Sequence, residues 1–93
     1  MFKSNSYHDG KVASIAFQGD DLPATVGVMA PGEYTFSTAE RETMKVISGE
    51  LTVRLPGSAD WQTFAAGDAF VVPAEASFDV RISRDSAYLC LYG

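Results

Sequence analysis

The sequence predicts an all-β fold, arranged as a single-domain antiparallel sandwich or small barrel. Stretches rich in β-branched and aromatic residues recur at intervals of roughly 8–12 residues, separated by Gly, Pro, Asp or Ser. The one helical candidate, residues 38–42, is too short to cover a sheet, so parallel crossovers that need helices are excluded. Because 93 residues is fewer than the roughly 100–200 of a typical domain, we expect one domain, residues 1–93.

The first half of the chain holds five of nine predicted strands. Three of them combine β-branched or aromatic residues with nearby turn signals, and they lie at residues 11–17, 25–29 and 33–37. Residues 44–47 and 51–55 follow, separated by a short segment that contains Ser48 and Gly49. We expect these two strands to pair as a hairpin.

The second half of the chain holds the other four predicted strands, which begin after a Pro-Gly-Ser turn. Each is bounded by Gly, Pro, Asp or Ser, and they lie at residues 61–64, 69–72, 78–82 and 87–92. No linker or low-complexity tract interrupts the chain, which again favours one folding unit.

The charge balance of the chain argues against two classes of partner. Seven Lys and Arg residues stand against twelve Asp and Glu, which gives a formal net charge of −5 and a pI near 4.5. Such a surface repels phosphate backbones and anionic lipid headgroups. We therefore expect neither nucleic acid nor a membrane among its partners.

Cysteine and histidine content and the leading residues set further expectations. Cys90 is the only cysteine and His8 the only histidine, so neither an intramolecular disulfide nor a two-imidazole metal site is expected. The leading residues lack the apolar stretch of a secretory signal, and no segment approaches about 18 apolar residues, which predicts a cytoplasmic location. A chain this small buries a limited share of its surface, which favours a homodimer.

Two spaced motifs resemble those of the cupin superfamily. Glu42 is followed after six residues by Gly49, and Gly67 after five residues by Pro73, as in the second half of cupin motif one and the first half of motif two. The first spacing places an inward carboxylate at the head of a strand that ends in a tight turn. The resemblance implies the jelly-roll form of the predicted sandwich.

The cupin motifs lack their histidines in this chain. Aligned from Glu42 and Pro73, the metal-binding positions fall near Thr35, Ser37 and Phe78. One carboxylate with two hydroxyls and an aromatic ring cannot hold a transition metal against water, so we expect no metal cofactor.

A longer resemblance covers almost the whole chain. It rests on Asn5-Ser6-Tyr7 with Gly10-Lys11-Val12, Gly32 to Glu40, Met44 with Val46 to Gly49, Asp60-Trp61-Gln62, Val72-Pro73 and Tyr88-Leu89-Cys90. These segments resemble the small pyrimidine/purine nucleoside phosphorylases of the cupin superfamily, formerly a domain of unknown function. The resemblance implies phosphorolysis of many purine and pyrimidine nucleosides to free base and ribose 1-phosphate, with inorganic phosphate as co-substrate. The alternative is a non-catalytic cupin that binds or senses a small molecule.

Glu42 is the predicted catalytic residue. Cleavage of an N-glycosidic bond passes through an oxocarbenium-like sugar, which a carboxylate can stabilise. Glu42 could hold ribose hydroxyls or transfer a proton to the leaving base. Alternatively, it is a remnant of the cupin scaffold that bonds to backbone.

Thr35, Ser37, Phe78 and Met44 are predicted substrate-binding residues. The cupin register assigns Thr35 and Ser37 to the interior, where their hydroxyls bind phosphate or sugar oxygens, or else ladder carbonyls and buried water. A slip of one residue would exchange them with their neighbours. Phe78 and Met44 either wall the pocket or belong to the plain core.

The phosphate-binding group is the least determined part of the predicted site. Arg41, in the loop before Glu42, either reaches the barrel mouth or is an exposed charge. Lys45, Arg54 and Arg81 have the parity of the outer face. His8 and Cys90 are left outside the site, His8 as a surface residue and Cys90 as a small buried hydrophobe.

Overall fold

The computed structural model describes residues 2–93, which form ten β-strands and contain no helix. In chain order the strands are β1 (Lys3–Tyr7), β2 (Val12–Gln18), β3 (Pro23–Met29), β4 (Gly32–Ser37), β5 (Glu42–Ser48), β6 (Glu50–Arg54), β7 (Gln62–Ala65), β8 (Ala69–Val72), β9 (Ser77–Ile82) and β10 (Ser86–Tyr92).

The strands form two antiparallel sheets. The larger sheet has the order β1-β2-β3-β10-β5-β8, and the smaller one the order β4-β9-β6-β7. Every pairing is antiparallel, as expected for a chain whose connections contain no crossover helix. The predicted all-β fold is therefore confirmed.

Alternate residues of both sheets meet in one hydrophobic core. Leu51 and Val53 of β6, Val72 of β8 and Val80 of β9 are completely buried. Met44, Val46 and Phe78 lie with them in the same cluster. Because side chains alternate between the faces of a strand, the residues between these point outward, and most of them are polar.

Strand β1 is absent from the sequence prediction, which began at residue 11. Its sequence, KSNSY, is polar, and four of its five residues are exposed. It pairs with β2 from Lys3 opposite Ala16 to Tyr7 opposite Val12, at the edge of the larger sheet. An edge strand with little burial carries no hydrophobic alternation, so pattern alone misses it.

The predicted hairpin between residues 44–47 and 51–55 is wrong. Strand β5 pairs with β10 and β8 in the larger sheet, whereas β6 pairs with β7 and β9 in the smaller one. Gly49, with φ +78°, turns the chain from one sheet to the other. The Ser86 hydroxyl accepts a hydrogen bond from the Glu50 N–H (3.1 Å) and fixes this passage.

Candidate active site

A cavity of about 320 Å³ lies between the two sheets. The larger sheet contributes Ser14, Met29, Glu42, Met44, Tyr88, Cys90 and Tyr92 to its wall. Residues of the smaller sheet that border the cavity are Thr35, Phe36, Ser37 and Phe78, and the turn after β1 adds Tyr7 and His8. Four of these residues are exposed and mark the open side of the cavity, namely Tyr7, His8, Thr35 and Ser37.

Glu42 occupies the polar wall of the cavity. It begins β5, opposite Val72 on one side and Tyr92 on the other, and it shares the inward face of β5 with Met44. Its carboxylate oxygen Oε1 accepts a hydrogen bond from the Cys90 thiol at 3.4 Å. Burial raises the pKa of Glu42, an effect that the bond from Cys90 opposes.

Hydroxyl and thiol groups surround Glu42 on the same wall. The Tyr92 hydroxyl is bonded to Thr25 Oγ1 at 3.0 Å. Burial raises the pKa of Tyr88 and that of Cys90 to about 12, and it also raises the pKa of Tyr92. All three groups therefore keep their protons near neutral pH and act as neutral hydrogen-bond donors.

Gly27 makes room for the Tyr88 ring on this wall. The two residues are directly opposed between β3 and β10. A Cβ at residue 27 would lie 2.6 Å from the Tyr88 ring and 2.7 Å from the Ala13 carbonyl oxygen. Any side chain there would displace the ring, so Gly27 helps to set the position of the Tyr88 phenol.

The opposite wall of the cavity is aromatic. Phe36 of β4 and Phe78 of β9 are paired across the sheet, with ring centroids 5.7 Å apart. Phe78 in turn contacts Phe70 at 6.2 Å, which ties the wall into the core. Phe36 is only partly buried, so its ring offers a flat apolar surface to a ligand.

Two predicted substrate-binding residues lie where the motif placed them. Met44 and Phe78 are both 3% exposed, and both belong to the core and border the cavity. Each residue is therefore both a core residue and part of the pocket wall, the two alternatives that the sequence left open. Their contact with a substrate stays a prediction.

The predicted inward orientation of Thr35 and Ser37 is wrong, although both residues border the cavity, as the predicted site requires. Tyr34 and Phe36 occupy the inward face of β4, and both side chains of the predicted pair are exposed. The Thr35 hydroxyl donates to Asp79 Oδ1 at 2.8 Å, and Ser37 contacts the Ser77 hydroxyl at 3.4 Å. Two aromatic rings bury far more apolar surface than two small hydroxyl side chains. The strand therefore turns Tyr34 and Phe36 inward, one residue away from the predicted register.

Arg41 does not border the cavity. Its side chain is exposed, and its backbone carbonyl accepts a hydrogen bond from the Gly93 N–H at 2.8 Å. The predicted reach of Arg41 to the barrel mouth is therefore wrong, because the loop turns its side chain to solvent.

The other basic candidates lie on outer faces, as their parity predicts. Lys45 is exposed on the larger sheet. On the smaller sheet Arg54 forms an ion pair with Asp79, and Arg81 forms one with Glu33, each at 2.6 Å. These arginines are held away from the cavity by partners on their own face.

Several cavity residues were not predicted from the sequence. His8 and Cys90 were placed outside the site, and Phe36, Tyr88 and Tyr92 were not proposed for it. The His8 ring packs on Tyr34 and Phe36, with centroid distances of 4.9 and 5.6 Å. The contact depends on β1, which brings the turn that carries His8 to the edge of the cavity. No local sequence pattern predicts the contact of His8 with Tyr34 and Phe36. It joins residues far apart in sequence and depends on a strand without a hydrophobic pattern.

Metal ligands of the kind found in metal-binding cupins do not converge in the described part of the chain. Within residues 2–93 no three His, Cys, Asp or Glu side chains come together as a ligand set. Glu42 and Cys90 contact each other, but one carboxylate and one thiol are too few side-chain ligands for a transition metal. The side chains present do not fit a transition-metal site.

Comparison with known proteins identifies the family. The family model described as pyrimidine/purine nucleoside phosphorylase matches residues 2–92. The chain belongs to this family. A pyrimidine/purine nucleoside phosphorylase of Alcanivorax borkumensis is 64% identical over 93 residues, covering 100% of this chain and 99% of the relative. One from Pseudomonas entomophila is 62% identical over 92 residues, covering 99% and 98%.

Solved structures of the same shape confirm the cupin fold. A protein of unknown function from Vibrio parahaemolyticus superposes with a TM-score of 0.96 at 43% identity, covering 100% of this chain and 99% of that one. An RmlC-like cupin from Shewanella frigidimarina superposes with a TM-score of 0.77 at 17% identity, covering 98% and 82%, which is a likeness of fold alone. Within residues 2–93 no helix is long and apolar enough to cross a membrane.

Proposed function

We propose that this member of the family catalyses phosphorolysis of purine and pyrimidine nucleosides to free base and ribose 1-phosphate. The observation that carries the proposal is the two-sided cavity, which has aromatic rings on one wall and a carboxylate among neutral donors on the other. A nucleoside has the same two-sided chemistry, with a flat base joined to a hydroxylated sugar. The family membership of the chain supports the same activity.

The polar wall is the proposed ribose subsite. Glu42 accepts hydrogen bonds from ribose hydroxyls, and Tyr88 and Tyr92 donate to the sugar oxygens. In the reaction a phosphate oxygen forms a bond to C1′ while the C1′–N bond breaks. The base leaves with the electron pair of that bond and takes a proton from water. The carboxylate of Glu42 stabilises the positive charge that develops on the sugar.

The aromatic wall is the proposed base subsite, and it accounts for broad base tolerance. Phe36 and Phe78 offer π-faces and no hydrogen-bonding groups. Every base has a π-face, so stacking binds purines and pyrimidines without reading their edges. A site of this kind selects the ribose and accepts many bases.

The proposed reaction uses inorganic phosphate as co-substrate and no metal. Glu42 and Cys90 do not form a metal ligand set. The charge stabilisation that a metal supplies in other enzymes is assigned here to the carboxylate and the neutral donors.

The proposal includes a homodimer formed through the outer face of the larger sheet. This face exposes five β-branched side chains between 40% and 54%, namely Ile15, Val26, Val28, Ile47 and Val71. A row of apolar residues on an uncovered sheet face is typical of an interface. A second copy of the chain brings the same apolar face and covers it by two-fold symmetry.

The experiment that tests the activity follows free base by ultraviolet absorbance after incubation with inosine or uridine. We expect release of both bases with phosphate and none without it, and no change after dialysis against a strong chelator. Absence of release from any of several nucleosides would favour the binding or sensing cupin. Loss of turnover on chelation, restored by manganese, iron or zinc, would overturn the metal-free mechanism.

A further inference from the structure

Phosphorolysis requires a group that attracts phosphate, and the cavity contains one candidate. Among the described residues that border the cavity, His8 alone has a side chain that can carry positive charge. Arg54 and Arg81 are paired with acids on the outer face of the smaller sheet. Phosphate next to the carboxylate of Glu42 needs a cationic partner, because two negative charges in one partly buried site repel each other.

The backbone at His8 adopts the left-handed conformation, which residues other than glycine take in a few per cent of cases. His8 and Asp9 have φ of +51° and +59°. The turn is closed by bonds from the Gly10 N–H to the Tyr7 carbonyl (3.1 Å) and from the Lys11 N–H to the His8 carbonyl (3.2 Å). Gly takes such angles without a steric cost, whereas a side chain at these positions is held there by the turn.

Aromatic packing fixes the direction of the imidazole. The His8 ring meets Tyr34 in a tilted contact and Phe36 edge-on, at 88° between ring planes. Phe36 belongs to the proposed base subsite, so the imidazole lies beside the base wall at the open side. Glu42 belongs to the other sheet. A ligand entering between them meets His8 and the carboxylate from different walls.

We propose that His8 is the phosphate-binding group of this cavity, its imidazole N–H donating a hydrogen bond to an oxygen of inorganic phosphate at the open side. This inference rests on the proposed phosphorolysis. The phosphate held there supplies the oxygen that bonds to C1′ as the C1′–N bond breaks. His8 binds and orients the co-substrate and takes no proton from it. Because phosphate enters from the open side, the base keeps its place on the aromatic wall.

The test uses His8→Asn, which removes the imidazole and suits the positive φ of the turn. We expect the KM for phosphate to rise about tenfold to a hundredfold, the loss expected for one charge-assisted hydrogen bond. The KM for inosine and for uridine should stay within twofold. His8→Lys should recover most of the phosphate affinity. Asp9→Asn, on the same turn, is the matched control and should leave the phosphate KM unchanged or lower it.

The outcomes separate this inference from the proposed function. Phosphate-dependent turnover with an unchanged phosphate KM in His8→Asn would overturn the role of His8 and leave the activity standing. A rise in nucleoside KM alone would assign His8 to the base subsite and would also overturn it. Wild-type protein that releases no base from any nucleoside would overturn the activity itself, and the inference with it.

Discussion

Glu42 combines a functional position with an energetic cost. The side chain is half-buried, and burial raises its pKa because the low-dielectric surroundings disfavour the charged form. The bond from the Cys90 thiol recovers part of the lost solvation. A carboxylate held in this way is less stable than one in water but better able to stabilise a cationic sugar. The proposed chemistry and the stability of the fold therefore oppose each other at this residue.

Replacing Glu42 by Gln tests its proposed role in stabilising the cationic sugar. Gln keeps the volume and can still accept a hydrogen bond from Cys90, but it cannot stabilise positive charge on the sugar. We expect kcat to fall on the order of 10²–10⁴. Steady-state kinetics with inosine and with uridine measure the effect. Near-normal kcat/KM for both nucleosides would contradict the role, whereas a change confined to KM would mean uniform binding of substrate and transition state.

The same substitution should stabilise the fold at neutral pH. The folded-state pKa of Glu42 lies above its unfolded value near 4.5, so the folded state binds the proton more tightly. This linkage favours folding below pH 4.5, and its benefit disappears as the pH rises through the folded pKa. Glu42→Gln should therefore raise Tm by about 2–4 °C at pH 7, a modest rise because solvent screens a half-exposed charge. The difference should vanish below pH 4. Equal Tm values for Glu42→Gln and the unaltered protein at pH 7 as well as below pH 4 would contradict this prediction.

At the scale of the element, β4 determines the chemistry of the base wall. Its inward face carries Tyr34 and Phe36, and its outward face carries Thr35, which donates a hydrogen bond to Asp79. A shift of one residue would turn hydroxyls toward the cavity and aromatic rings toward solvent. The identity of the wall is thus a property of strand register as much as of any single side chain.

Phe36→Leu tests the stacking role of this wall. The change keeps apolar volume but removes the π-face, so we expect KM to rise about threefold to tenfold for inosine and uridine alike. Phe64→Leu is the matched control, since Phe64 packs on Phe70 at 4.7 Å and does not border the cavity. It should lower Tm and leave KM unchanged. A rise in KM for one nucleoside only would contradict a wall that binds every base by stacking.

Local sequence patterns predicted most strands. They failed where contacts between residues far apart in sequence determine the structure. Glu42, Met44 and Phe78 lie where motif spacing put them, because an inward face is a property of short-range alternation. The register predicted for β4 was wrong because the cupin motif lacks the histidines that would fix the alignment. The packing of aromatic rings determines which residues of β4 face inward. His8 is exposed, as predicted, but its position beside the cavity was not foreseen, because that position depends on β1, a polar strand defined only by its pairing with β2. The hairpin prediction was wrong because β5 and β6, although adjacent in sequence, belong to different sheets and pair with strands far away in the chain.

At the scale of the whole molecule, the two sheets have outer faces of different character. The outer face of the smaller sheet carries ion pairs between Arg54 and Asp79 and between Arg81 and Glu33. The outer face of the larger sheet carries exposed β-branched residues instead. A net charge of −5 keeps copies apart through long-range repulsion, which salt screens. The more apolar face is therefore the one on which two copies can approach.

The proposed homodimer predicts a mass twice the 10.0 kDa of one chain in light scattering. Val28→Glu places a charge on the exposed apolar face and should shift the mass to that of one chain. Thr63→Glu is the matched control, because it adds the same charge at an exposed position of the smaller sheet. A mass near 10.0 kDa for the unaltered protein at working concentration would contradict the dimer.

Trp61 lies against two guanidinium groups, with Arg54 Cζ 4.9 Å and Arg81 Cζ 3.8 Å from its ring. It is the single tryptophan of the chain, and it does not border the cavity, whereas Tyr7, Tyr88 and Tyr92 do. Tryptophan emission therefore reports whether the outer face of the smaller sheet is folded, and near-ultraviolet dichroism of the tyrosines reports what occupies the cavity. Unfolding and ligand occupancy thus have separate optical signatures in one unlabelled protein.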